Sequence, residues 1–345
     1  TNNEINIKKE YPNNFDNKNY KLVVENLSKS NLDNSYKPND NLLELFKDDR
    51  FLYHLLSKRF SFDESQLITD TLSKKMFLKI IAIRLLPLLT IVLGSLLVLR
   101  TLWSVLASRK IEWKEFKPLD LDLLDMVLLI SGGFVVLGEV ISPLFSITLV
   151  ESVASNLSIE LTQSLKIFFG YLFMAIPPLL IIYYQIKSFE KKIILKKDYF
   201  QFNFLPIKDS FFQGFKGFLM IIPFVLLVSL IMNLLVDNQN GSNPLLEIVL
   251  NSNNYLSFLL LFLTTTFLAP IFEEIIFRGV LLPILSREFG IILGITISAF
   301  IFALAHLSIG EMIPLFTLGI GLGTTRLISG RLSSSVIMHS LWNGM

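Results

Sequence analysis

Two adjacent carboxylates, Glu273 and Glu274, stand in an otherwise apolar run, Ala269-Pro270-Ile271-Phe272-Glu273-Glu274-Ile275-Ile276-Phe277-Arg278-Gly279. A charge at membrane depth costs about 2.5–3.5 kcal/mol on insertion scales, so such groups are functional candidates by default. Helical geometry divides the pair. Glu274 and Arg278 are four residues apart, share a face and can form an ion pair. Glu273 points about 100° away and has Phe277, not a cation, four residues on. A carboxylate walled in by apolar groups is a stronger base near neutral pH, which is what general-base catalysis needs.

The chain holds 3 His, His54, His306 and His339. The last two fall inside apolar segments. His306 closes Phe302-Ala303-Leu304-Ala305-His306, after a turn marked by Arg287, Glu288 and Gly290. Glu273 lies 16 residues before position 289 and His306 lies 17 after it. In an antiparallel helical hairpin both then sit at one level, about 25 Å from the turn. His339 and Asn343, four apart in His339-Ser340-Leu341-Trp342-Asn343, face the same way. Neutral His and Asn are suitable donors for a developing oxyanion. Each residue also has a structural reading: a Glu pair neutralised by Arg278, a packed His306, an Asn343 that bridges helices. The joint occurrence of all these groups favours chemistry.

Other chemistries find less support. With no Cys there is no thiolate ligand or nucleophile. No H-E-x-x-H is present, so a zinc site would have to draw His306, His339 and a Glu from separate helices. No Gly-x-Ser-x-Gly element accompanies a His. A net charge of +2 gives no reason to expect nucleic acid as a partner.

Glu273-Glu274-x-x-x-Arg278, then Phe302-x-x-x-His306, then His339-x-x-x-Asn343, resembles the three motifs of the CPBP (Abi) family, which includes the CAAX prenyl endopeptidases. The resemblance spans roughly 256–345. It implies that Glu273 and His306 activate a water and that His339 and Asn343 hold the oxyanion. Glu274, Arg278 and Phe302 would be structural supports, and no cofactor or metal is implied. The expected function is a metal-independent, glutamate-dependent intramembrane endopeptidase. Its substrates would be C-terminal, CAAX-like peptides of membrane-tethered proteins. The alternative is a non-proteolytic membrane scaffold or assembly partner built on the same fold.

These residues need helices to hold them. The chain is 52% hydrophobic and 17% charged, a balance that points to a membrane class. Spanning a bilayer takes roughly 20 apolar residues. Candidate spans are 85–107, 126–150, 167–186, 217–236, 256–277, 291–307, 313–329 and 333 to the end. The expected fold is all-α, a polytopic transmembrane helix bundle of about eight spans with a polar, partly helical N-terminal extension. Its expected divisions are 1–80, an extension with amphipathic helices over 41–79; 81–212, accessory spans and a basic loop; and 213–345, the protease-like core. Glu139 and Arg100 sit unpaired in early spans, and neither is given a catalytic role. Pro177-Pro178 is expected to kink the third span. Gly319, Gly321 and Gly323 are expected to permit close helix approach.

Lys187, Lys191, Lys192, Lys196, Lys197, Lys208 and Lys216 fill the 187–216 loop, while 237–255 carries neither Lys nor Arg. The first loop is therefore expected to be cytoplasmic and the second not, and Arg109, Lys110, Lys114 and Lys117 place the 107–125 loop on the cytoplasmic side too. Parity then puts the N-terminal extension outside, against the sense of Lys74, Lys75, Lys79 and Arg84. The expected location is a plasma membrane or an internal energy-transducing membrane. Expected partners are membrane lipid, a membrane-tethered peptide or protein substrate, and another membrane protein bound through residues 1–150.

Overall fold

Among the described residues all regular structure is helical. The structure, a computed structural model, describes residues 70–107, 111–116, 121–154, 157–190, 200–235 and 254–345. The part of the expected amphipathic helices before Asp70, which includes His54, lies outside the described residues, as do 191–199 of the 187–216 loop and 237–253 of the 237–255 loop. The chain divides into two units, Thr1–Leu86 and Pro87–Met345. The described part of the first, 70–86, is helical. The second holds every candidate catalytic residue.

Among the described residues eight helical stretches follow one another: α1 (Asp70–Leu106), α2 (Leu123–Val153), α3 (Ile159–Glu190), α4 (Ile207–Leu235), α5 (Tyr255–Phe289), α6 (Ile291–Ala305), α7 (Met312–Ser329) and α8 (Leu332–Asn343). The portion of α1 from Leu85, most of α3, and α2, α4, α5 and α7 whole make 6 segments long and apolar enough to cross a membrane; α6 and α8 are shorter. This is a multi-pass membrane protein of all-α class. The short last helices are what a cavity lining tolerates and a lipid-facing span does not.

Proline explains an irregularity that hydrophobicity could not announce. Three stretches are wound as π-helix: Leu129–Ile141 in α2, and Thr264–Leu268 and Ile275–Leu281 in α5. Each ends two residues before a proline: Pro143, Pro270 and Pro283. A proline in a helix lacks the N–H and drives its ring at the carbonyl four residues back. Widening the preceding turn to a five-residue register relieves that clash. Such segments gather at functional sites, and the two in α5 flank the α-helical turn Ala269–Glu274 that carries the carboxylate pair.

Gly290, with φ of 84°, turns α5 into α6. The hairpin register is visible in Phe277 and Phe302, whose rings meet edge to face at 5.3 Å. At this same end the connecting segments tie together. Lys114 N donates to Leu327 O at 2.9 Å, Leu332 N to Gln201 O at 2.9 Å, and an Arg287 guanidinium nitrogen to Leu121 O at 2.8 Å. α7 crosses α6 at Gly319, where an added Cβ would stand 2.9 Å from Ala299 Cα. Gly321 meets Ile221 of α4 as closely, whereas Gly323 has ordinary clearance. Replacing Gly319 by Val should force the two backbones apart and cost about 1–3 kcal/mol by overpacking, read as a lower unfolding midpoint in detergent.

Candidate active site

Glu274 is fully buried and its Oε1 accepts two hydrogen bonds. One comes from Arg278 Nη1 at 2.8 Å, the other from His339 Nδ1 at 3.0 Å. Arg278 is equally buried; its Nη2 donates to Gly319 O at 3.2 Å, and its guanidinium lies 4.4 Å from the Phe302 ring centroid. The Gly319 crossing thus does two things: it seats α7 on α6, and it offers Arg278 a carbonyl. The further hydrogen bonds and the ring beneath the cation offset part of the cost of burying this ion pair; among the described residues Glu274 Oε2 and Arg278 Nε are left without a hydrogen-bond partner.

Glu273 turns to a different part of the cavity. It is buried, its Oε2 has no hydrogen-bond partner among the described residues, and that oxygen stands 3.7 Å from His339 Nε2. His339 therefore lies between the two carboxylates, bonded to one and facing the other. An ionised carboxylate only accepts, so Nδ1 of His339 carries the hydrogen that Glu274 receives.

His306 is the C-cap residue of α6 and is exposed, with Nδ1 at 2.9 Å from Phe302 O. Leu307 comes next with φ of 52°, a left-handed conformation that a bulky side chain adopts at a cost. Phe302 is the common wall, its centroid 4.7 Å from His306 and 5.6 Å from His339. No hydrogen bond joins Glu273 to His306 among the described residues.

Asn343 lies one turn beyond His339, and its Nδ2 donates to Thr265 O at 2.9 Å. The reason lies in α5. In the π register the N–H five residues beyond Thr265 would take that carbonyl, but residue 270 is proline and has none. Asn343 supplies the missing donor and pins α8 to α5. The bond is exposed, so Asn343→Leu should cost about 0.5–1.5 kcal/mol, the net worth of an ordinary hydrogen bond; a lower melting midpoint is the check.

Sequence reasoning left two groups out. Glu139 of α2 is within electrostatic reach of both His306 and Glu273, and Tyr171 of α3 is within reach of Glu139 and Glu273. The α2 placement results from Phe134, packed on Phe272 and Phe277 with centroids at 5.9 and 6.1 Å. Glu139 stands one π-turn further along. The signal was a lone carboxylate in an apolar span; Tyr171 gave none. Among the described residues no three His, Asp or Glu side chains are grouped as a metal ion would require.

Residues 255–345 match the family model for type II CAAX prenyl endopeptidases, Rce1-like. This segment is related to the CPBP (Abi) family. The CPBP-related segment begins at the first residue of α5 and includes every group just described except Phe134, Glu139 and Tyr171. Residues 1–78 match a different family model, a domain of unknown function, DUF8675. Neither the curated proteins nor the solved structures give a match.

Proposed function

We propose that α5 to α8 form the catalytic core of a glutamate-dependent intramembrane endopeptidase. Its substrates would be C-terminal, CAAX-like peptides of membrane-tethered proteins. The observation that carries the reading is a division of contacts among the described residues: Oε1 of Glu274 is held by Arg278 and His339, whereas buried Glu273 has no Lys or Arg within ion-pair distance and its Oε2 faces His339 Nε2 at 3.7 Å. One carboxylate is paired with a cation and holds the site; the other is left facing the cavity.

In this reading Glu273 takes a proton from a water as its oxygen attacks the scissile carbonyl carbon. His306 orients that water from the far side of Phe302. The oxyanion is met by Nε2 of His339, provided that nitrogen also carries hydrogen, and by the second N–H of the Asn343 amide, since an amide nitrogen has two donors and Thr265 takes one. The C–N bond then breaks and the proton held by Glu273 passes to the leaving nitrogen. Catalytic contacts often tighten only around substrate, so the open spacing between Glu273 and His306 is compatible with these roles.

The test is purified protein with a panel of prenylated and unprenylated C-terminal peptides, read by mass spectrometry. Cleavage confined to peptides bearing the lipid, and lost in Glu273→Gln, is the expected outcome; undiminished cleavage by that variant would contradict the assignment. A second reading, a membrane scaffold, is favoured by the separate family match over 1–78. It expects a membrane partner that co-purifies with the chain and remains bound in Glu273→Gln.

A further inference from the structure

A second concave site lies far from the carboxylates, at the end of the unit where the 111–116 segment, the 200–206 segment and the Gly330 turn meet. It is a cavity of about 490 Å³ whose lining includes Lys114, Lys208 and Arg331, one acid, Asp209, and the apolar side chains of Phe212 and Ile328. Three cations face one carboxylate. Arg331 is already engaged: its Nη1 donates to Asn203 O and Leu205 O, both at 3.0 Å, and its Nη2 stands 3.6 Å from Asp209. Lys114 has only an exposed contact of 3.5 Å with Glu112, and Lys208 has no ion-pair partner among the described residues. The cavity also stands at the N-terminus of α4, a helix of 29 residues, where first-turn amides and the helix dipole favour an anion.

Two features choose among anions. Phe212 is 64% and Ile328 38% exposed, so the cationic rim continues into apolar surface on α4 and α7 instead of opening only to water. Lys216, two turns beyond Lys208, shares the face of Lys208 and Phe212, and a lysine inside a span extends its ammonium toward the interface. The cavity also lies on the side whose loops carry the excess of Lys and Arg, the cytoplasmic side by the positive-inside rule. A cationic pocket between helices at that level, with exposed apolar residues below it, fits a phosphate attached to acyl chains.

We propose that this pocket binds the headgroup phosphate of an anionic phospholipid of the cytoplasmic leaflet. Lys114 and Lys208 contact the phosphate, and the lipid chains lie against Phe212 and Ile328. The occupied pocket would brace the Ser329–Arg331 turn from which α8 departs. The proposal does not depend on the protease reading.

The test uses full-length protein stripped of lipid in detergent. Phosphatidylglycerol and phosphatidylcholine of identical chains, and separately sodium phosphate, are added; binding is followed by native mass spectrometry and by the melting midpoint. The wild type should bind phosphatidylglycerol saturably and gain stability, and should do neither with phosphatidylcholine. The Lys114→Gln/Lys208→Gln double variant should bind phosphatidylglycerol roughly ten- to thirtyfold more weakly, from the usual contribution of a surface lysine to anionic-lipid attraction. Lys187→Gln, which removes an exposed lysine at the end of α3, should bind as wild type does. Equal binding of the two lipids, full binding by the double variant, or phosphate alone stabilising as well as the lipid would each overturn the proposal. The comparison of lipids on wild type decides the matter even if the double variant does not fold.

Discussion

Arg278→Leu is expected to destabilise the protein by about 3–5 kcal/mol, the largest effect on folding of any single substitution in the site, because it strands a charge away from water. Glu274 has zero exposure, and with the guanidinium gone its carboxylate loses its only cation of fixed charge within ion-pair distance among the described residues and keeps its hydrogen bonds with His339 and Ser335. Gly319 O loses its donor at the same time. The Phe302 ring, 4.4 Å beneath the guanidinium, loses its cation. The pairing predicts more than simple damage. In Glu274→Leu/Arg278→Leu both charges are removed together, and the double variant should be more stable than Arg278→Leu alone. Unfolding midpoints in detergent for the two single variants and the double variant give the comparison. A double variant no better than the singles would mean that the pair is not the unit it is taken to be.

Glu273→Gln is expected to leave the unfolding midpoint near that of wild type and to lower cleavage by roughly 10²–10⁴, the usual contribution of a positioned general base. The change is nearly isosteric, and Oε2 of Glu273 holds no hydrogen bond whose loss would be felt. Glu274→Gln should behave differently. It replaces an ionic acceptor shared by Arg278 and His339, so stability and activity fall together. Measuring both quantities on both variants separates a residue that reacts from one that supports. If Glu273→Gln lost stability as severely as Glu274→Gln, the division of labour between the adjacent carboxylates would be wrong.

The pairing of Arg278 with Glu274 was legible in the sequence, since it rests on four-residue spacing: Arg278 can reach Glu274 and has no reason to reach Glu273. The hairpin was legible too. Nearly equal residue counts on either side of the turn put Glu273 level with His306, and the Phe277–Phe302 contact displays the register. Features that depend on contacts between distant segments could not be read. The position of His339 between two carboxylates needs the packing of α8 on α5. The engagement of Asn343 with Thr265 needs both that packing and the π register ahead of Pro270. The prolines were visible, but whether a helix answers a proline by kinking or by widening its preceding turn is decided by neighbours. Glu139 was visible as an unpaired acid, and only the seating of Phe134 on Phe272 and Phe277 brings it to the site.

The central claim is that Glu273 activates a water and does not itself attack the peptide. A single turnover of a cleaved peptide in water labelled with heavy oxygen, run for wild type and for Glu273→Gln, tests it most directly. The expected result is one labelled oxygen in the new C-terminal carboxylate from the wild-type enzyme, an unlabelled Glu273, and no product from the variant. Unlabelled product with the label on Glu273 would instead reveal a covalent acyl intermediate, and labelled product from Glu273→Gln at the wild-type rate would remove Glu273 from the chemistry.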